Sequence, residues 1–184
     1  MEWTIPGTAL RGSRAEVEAS IRQIEGMFLG GGMIRSQLAS VSGVEAHDIQ
    51  NWVKRGFLPS PVNKRYSCSQ FCRIVTINML RSAMPMEKIC SLLTYINGEL
   101  DDAGDDLIDD TVLYFMFLRL AARARQIGGK DNWDTAIGEI LANYAEPVPG
   151  ARDRIDQVLR IMLTAWIGVQ TIRRAEQMLT ELEG

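Results

Sequence analysis

The sequence predicts a mainly α-helical protein. Apolar residues recur at helical spacing through most of the 184 residues, and strand-like alternation is absent apart from a possible short wing near Lys64. Hydrophobic residues make up 46% of the chain and charged residues 23%, proportions typical of a soluble globular protein. No apolar run approaches the roughly 20 residues of a membrane helix, and the N-terminus lacks an apolar signal-peptide core. We therefore expect a cytoplasmic protein without membrane contact.

Residues 1–32 are predicted to form one helix followed by a hinge. Ser13 and Glu16 match the capping-box pattern S-x-x-E, so the helix is expected to begin at Ser13. Its apolar face consists of Val17, Ile21, Ile24 and Phe28. Gly30–Gly32 end the helix. A flexible joint is favoured over a phosphate-binding loop here, because no G-x-x-x-x-G-K-[ST] pattern follows.

Residues 33–100 are predicted to form a domain of four helices, at about 33–40, 45–55, from Ser67 to a break at Met84-Pro85, and 85–95. Ser42-Gly43 makes the first turn, and Gly56 stands where a helix ends in a glycine. Ser67 and Gln70 form a second capping box, S-x-x-Q, at the start of the third helix. The inward residues of that helix are Phe71, Ile74, Ile77 and Leu80.

Charge is distributed unevenly along the chain. The net charge is -3, but residues 33–88 contain eight basic and three acidic residues, a local charge of +5. Residues 101–184 contain nine basic and fifteen acidic residues, a local charge of -6. Such asymmetry indicates that the basic part of the chain meets an anionic partner.

Residues 33–97 resemble the DNA-binding domain of the MerR family of bacterial regulators. The resemblance rests on an ordered set of short matches: Leu38-Ala39, Gly43-Val44, Ile49, Trp52, Gly56-Phe57-Leu58-Pro59, Arg65-Tyr66-Ser67, Ile74, Leu80-Arg81 and Met86-Glu87-Lys88-Ile89. The stretch IQNWVKRGFLPSPVNKRYS is similar to a bacterial family of MerR-like regulators of unknown function. The resemblance implies a winged helix-turn-helix, with the helix at 45–55 in the major groove of double-stranded DNA.

The residues of this region suit such contacts. Gln50 and Asn51 can each bond adenine through two hydrogen bonds, and His47 lies one turn earlier on or near the same face. The basic residues suited to phosphates are Arg35, Lys54, Arg55, Lys64 and Arg65, with Tyr66 added by its place in the matched wing. A solvated polar face is the plainer interpretation of an isolated helix. The preceding turn and the following basic wing favour DNA binding.

Residues 101–184 are predicted to form a helical dimerisation or effector domain, with helices at about 106–127, 132–144 and 151–182. The last helix carries apolar residues in an a/d heptad register: Ile155, Val158, Met162, Ala165, Val169, Ile172 and Leu179. Packing within its own domain is one interpretation and a homodimer interface is the other. The dimer is favoured, because two DNA half-sites require two copies.

Two clusters have both a chemical and a plain interpretation. Cys68, Cys72 and Cys90 can sense metal or redox state, but cysteine also packs as a small apolar residue, and packing is favoured. The aspartates between residues 101 and 110 resemble a cation site, although the calcium-loop order is missing and a solvated helix start is favoured. The chain has a single histidine, and no catalytic arrangement accompanies it. We expect no enzyme, cofactor or metal.

The sequence thus predicts a DNA-binding transcription regulator that acts as a homodimer, with an unidentified small-molecule effector as a further partner. The alternative is a helical protein-interaction module that has lost DNA binding.

Overall fold

The computed structural model describes residues 2–98, 100, 104–124 and 130–183. These residues form eight helices and one antiparallel pair of strands, so the mainly α-helical class is confirmed. The elements are β1 (Glu2–Thr4), β2 (Arg11–Ser13), α1 (Val17–Gly26), α2 (Arg35–Ser42), α3 (Ala46–Lys54), α4 (Cys68–Leu80), α5 (Met86–Asn97), α6 (Asp110–Arg123), α7 (Lys130–Ile140) and α8 (Ala151–Glu183). No helix among the described residues is long and apolar enough to cross a membrane.

The N-terminal hairpin corrects the first prediction. β1 pairs with β2 from Glu2 opposite Ser13 to Thr4 opposite Arg11, so Ser13 ends a strand and does not cap a helix. α1 begins four residues later at Val17, and no side chain caps it. The loop between the strands is closed by Thr8, whose Oγ1 donates to the carbonyl of Ile5 at 3.0 Å. Strands of three residues are too short to show an alternating pattern in the sequence.

The central helices follow the sequence closely. α2 lies two residues later than predicted, whereas α3 and α5 fall within two residues of their predicted limits. The Ser67 capping box of α4 is confirmed: the Gln70 amide nitrogen donates to Ser67 Oγ at 3.2 Å, and Gln70 Oε1 accepts from the Ser67 amide at 2.9 Å. These elements form as predicted because caps and apolar spacing are local features.

The C-terminal helices differ more at their ends. α6 begins at Asp110 because the Asp109 carboxylate accepts from the Thr111 amide at 2.7 Å and so caps the helix. Its predicted end, near Ile127, lies outside the described residues. α7 ends at Ile140, and Tyr144, predicted to be helical, instead lies in a turn where its hydroxyl donates to the Leu107 carbonyl at 2.6 Å.

One apolar core joins both parts of the chain. The four inward residues predicted for α4 are fully buried, and α4 makes its most extensive contact with α6, whose Tyr114 and Phe117 are also fully buried. α8 packs against α4, α5 and α6. The predicted domain boundary at residue 100 therefore does not separate two cores, and the division into domains stays a prediction.

Candidate nucleic-acid interface

Helices α2 and α3 are joined by a tight turn that fixes their contact. Gly43 ends α2 in the left-handed conformation, with φ at 70°, and its amide donates to the Ala39 carbonyl. Leu38 on α2 and Ile49 on α3 are fully buried, and Trp52 is 5% exposed. This packing determines which side of α3 faces outward.

The outward side of α3 carries the predicted contact residues. His47, Gln50, Asn51 and Lys54 are all exposed and, at spacings of three and four, share one face. Among the described residues, the side chains of Gln50, Asn51 and Lys54 have no hydrogen-bond or ion-pair partner. These three polar groups are therefore available to an external partner.

Acidic residues border this face. The His47 Nε2 lies 3.2 Å from Asp48, and the Arg81 guanidinium lies 3.5 Å from the same carboxylate. Arg81 also lies over the Trp52 ring, 5.7 Å from its centroid. Asp48 is thus shared between α3 and the end of α4, which gives the edge of the face a mixed charge.

The exit from α3 is held by Arg55 and the residues after it. Gly56 adopts a φ of 72°, as expected after a helix end. The Arg55 guanidinium lies 4.5 Å from the Phe57 ring centroid and 3.6 Å from Glu87 of α5. Arg55 is exposed as predicted, but its guanidinium already contacts two side chains of its own chain.

The predicted wing is a single tight hairpin turn. Val62 and Arg65 form an isolated bridge, and the Arg65 amide donates to the Val62 carbonyl at 2.9 Å. Asn63 and Lys64 between them have φ angles of 50° and 61°, the signature of a type I′ turn. Lys64 therefore stands at the exposed tip, where no ion pair to a described residue is present.

Helix α4 anchors the hairpin. The Gln70 side-chain amide donates to the carbonyls of Pro59 at 3.1 Å and Ser60 at 3.0 Å. The Arg73 Nε donates to the Phe57 carbonyl at 3.1 Å. All three bonds come from one helix, so the segment that carries Lys64 is fixed to the same core as α3.

One predicted DNA contact is wrong. Tyr66 is only 4% exposed, and its backbone pairs with Met33 through hydrogen bonds of 2.8 and 3.0 Å. Burial raises the pKa of Tyr66, and the nearby charge of Arg35 only partly offsets this effect. Arg65 remains exposed but donates to the Gly32 carbonyl at 2.9 Å. Arg35, the first residue of α2, is exposed as predicted.

The predicted dimer register needs correction as well. Ile155, Val158 and Met162 are fully buried in the chain's own core, and Val169 is 8% exposed, so these residues do not offer a free surface. Ala165 is partly buried, whereas Ile172 and Leu179 are 60% and 56% exposed. The split follows position along the helix, because every residue from Thr171 to Leu182 is exposed and the heptad register does not encode where the core ends.

The structure exposes a different stripe on α8. Two sets of apolar or small residues alternate along α8 at steps of three and four residues. The first set is exposed and consists of Ile161, Gly168, Ala175 and Leu182; the second set is Ala165, Ile172 and Leu179. This second heptad stripe lies on the side of α8 opposite its buried face. It is the apolar surface of α8 that stays open to a partner.

The thiols are placed for packing. Cys72 is fully buried, while Cys68 and Cys90 are partly buried. A hydrogen bond with Cys72 lowers the pKa of Cys68, and burial raises the pKa of Cys72 and of Cys90. Among the described residues, no group of three or more His, Cys, Asp or Glu side chains is arranged to hold a metal ion. The first two predicted loop acids, Asp101 and Asp102, lie outside those residues.

Sequence reasoning missed a buried ion pair next to the hairpin. The Arg73 guanidinium lies 3.2 Å from the Asp110 carboxylate, and the two side chains are 8% and 12% exposed. Burial raises the pKa of Asp110 to about 6, although Arg73 acts to lower it. The partners are 37 residues apart, so no local spacing links them.

Comparison with known proteins adds one match. Residues 34–117 match a family model described as a domain of unknown function (DUF1836). The matched segment runs from the start of α2 into α6, and so includes the α3 face, the hairpin and the α4–α6 contact. No curated protein and no solved structure matches the chain.

Proposed function

We propose that this protein is a DNA-binding transcription regulator with a MerR-like winged helix-turn-helix. Helix α3 enters the major groove of duplex DNA, and the hairpin at residues 62–65 lies along the phosphate backbone. The observation that carries the proposal is the α3 face. Three exposed polar side chains on this face have no partner among the described residues. The core that holds α3 in place also anchors the hairpin.

The residues divide between two tasks. Gln50 and Asn51 present amide groups that can donate to and accept from a base edge, which is how proteins read adenine. Lys54 and Lys64 present ammonium groups, which suit phosphates and fix the position of the protein without reading sequence. Arg35 and Arg55 extend the cationic surface on either side.

Two copies act together in this proposal, and the exposed stripe of α8 is their contact. An antiparallel, two-fold pairing of these helices centred between Ile172 and Ala175 sets three large side chains of one copy against small residues of the other. Three such contacts form: Leu182 with Ala165, Leu179 with Gly168, and Ile172 with Ala175. Alternation of large and small residues across facing positions is what close helix packing requires. The stripe is therefore complementary to itself, as a two-fold interface must be.

Binding to labelled duplexes by fluorescence anisotropy tests the proposal. The wild-type protein should bind random genomic duplex at low salt and should prefer a duplex selected from a random pool. Gln50→Ala with Asn51→Ala should reduce this preference by about 30-fold or more, because each of the two lost base contacts removes about 1–3 kcal/mol of discrimination. Lys54→Ala should weaken binding to both duplexes equally. Absence of binding to any duplex at low salt, where phosphate attraction is strongest, contradicts the proposal.

The acids around α3 favour a second candidate, a helical protein-interaction module. Glu45, Asp48 and Glu87 give the surroundings of the face a mixed charge that suits a protein partner. Lys64→Glu separates the two candidates, since Lys64 stands at the hairpin tip and Arg65 is needed to hold Gly32. A regulator should lose duplex affinity about tenfold or more, whereas the interaction module has no duplex affinity to lose.

A further inference from the structure

A second surface, remote from the hairpin, has the composition of a ligand site. A groove of about 980 Å³ lies between the N-terminal hairpin, the end of α4 and the C-terminal half of α8. Its walls come from residues 3–14, residues 78–82, Ala124 and residues 166–178, so that four distant parts of the chain meet there. Grooves of this size at the junction of several elements are where small molecules bind.

The groove carries charge of one sign only. No aspartate or glutamate lies among its described lining residues. Five arginines line it: Arg11, Arg14, Arg81, Arg173 and Arg174. The whole chain has a net charge of -3, so this concentration of positive charge does not reflect the composition. A cleft lined by one sign of charge attracts ligands of the opposite sign.

Two of the arginines are uncommitted. Arg11 donates to Thr4 Oγ1 at 3.0 Å, Arg14 lies between the Trp3 and Trp166 rings, and Arg81 pairs with Asp48. Arg173 and Arg174 are exposed and have no hydrogen bond or ion pair with a described residue. A guanidinium group binds a carboxylate or a phosphate through two parallel hydrogen bonds.

The remainder of the wall mixes polar side chains, such as Asn78, Gln170 and Gln177, with apolar ones. Trp3, Met79, Trp166 and Val169 are all less than one-tenth exposed and still line the groove. The Trp3 Nε1 is buried and has no hydrogen-bond partner among the described residues. A ligand for this surface needs an apolar body as well as an anionic group.

We propose that this groove binds a small organic anion with an apolar body, such as an alkyl carboxylate or alkyl phosphate. Arg173 and Arg174 hold the anionic group, and the apolar part lies along the wall beside Val169 and Met178. Arg81 connects the groove to α3, because its guanidinium reaches both the groove and Asp48. If α3 binds DNA, as proposed above, the anion is positioned to act as the effector.

Isothermal titration of the full chain, without DNA, tests the binding site. The probes are decanoate and decyl phosphate below their micelle concentrations, with decanol, acetate and inorganic phosphate as comparisons. We expect saturable binding of one decyl anion per chain, and binding weaker by at least about tenfold for decanol, acetate and inorganic phosphate, because each lacks one of the two recognised parts. The ratio of decanoate to decyl phosphate affinity identifies which anionic group the arginines prefer.

Arg173→Gln with Arg174→Gln should weaken decyl anion binding by at least about tenfold. Arg22→Gln with Arg154→Gln removes two exposed charges elsewhere and should leave the binding unchanged. Equal melting curves by circular dichroism establish that each variant is folded. Decanol binding as tight as decanoate binding, or equal losses in the two double variants, overturns the proposal. The duplex titrations are independent, so failure here is distinguishable from failure of DNA binding.

Discussion

Replacing Lys54 and Lys64 by alanine removes the two lysines that the structure places at the α3 face and at the hairpin tip. Both ammonium groups are exposed and unpaired among the described residues, so their loss leaves no buried partner behind. The folded protein should therefore be as stable as the wild type, and the effect should appear in DNA binding alone.

The expected magnitude follows from counterion release. Each phosphate contact contributes about -0.9 to the slope of log K against log[salt], so losing two contacts makes the slope shallower by about 1.8. Between about 50 and 200 mM salt, the affinity advantage of the wild type over the variant should consequently shrink by about twelvefold. The advantage is greatest at low salt, where phosphate attraction is least screened.

Fluorescence anisotropy with one random duplex at five or six salt concentrations measures both slopes per bound protomer. Arg22→Ala with Arg154→Ala is the matched control, because it removes two exposed cations away from α3 and the hairpin. The control slope should equal that of the wild type. If the plots of log K against log[salt] have the same slope for the wild type and for the Lys54, Lys64 variant, these lysines do not contact phosphates. This holds whether or not the two plots differ in affinity.

Three further perturbations test the core and the dimer. The folded pKa of Asp110, about 6, exceeds its ordinary value of 3.8, so its contribution to stability is present below about pH 4 and is lost as pH rises through 6. Urea titrations of the wild type and of Asp110→Asn give the difference between their free energies of unfolding. This difference, wild type minus variant, should fall by about 3 kcal/mol from pH 3.5 to 7. Tyr114→Phe should cost about 1–3 kcal/mol, because the buried Tyr114 hydroxyl donates to the Pro6 carbonyl at 2.7 Å. Ile172→Glu with Leu179→Glu should convert a dimer to a monomer in sedimentation equilibrium.

Tyr114→Phe and the double glutamate variant each have a control. Tyr95→Phe removes a hydroxyl from an exposed ring and should cost under about 0.5 kcal/mol. Val148→Glu places a charge on an exposed apolar residue away from the α8 stripe and should leave the dimer intact. The argument for Asp110 is contradicted if the stability difference between the wild type and Asp110→Asn does not change with pH. The argument for Tyr114 is contradicted if Tyr114→Phe leaves the free energy of unfolding unchanged. The dimer argument is contradicted if the variant with both glutamates remains a dimer.

Local sequence signals determined the central helices and the outward residues of α3. The Ser67–Gln70 capping box and the apolar spacing of Ile49 and Trp52 act within one or two turns, so their outcome does not depend on distant residues. The exposed positions of Gln50, Asn51 and Lys54 follow from that spacing. The unequal charge of the two parts of the chain was likewise readable without a structure.

Tertiary structure decided which surfaces stay open. Every described residue of α8 from Thr171 to Leu182 is exposed, so Ile172 and Leu179 are free because they lie beyond the part of the helix that packs against the core. Tyr66 directly follows two basic residues, a sequence context typical of the surface. Its backbone pairing with Met33 nevertheless buries it. The Arg73–Asp110 pair and the arginine groove join segments far apart in sequence. Local spacing does not encode such contacts, because they form only when the whole core assembles.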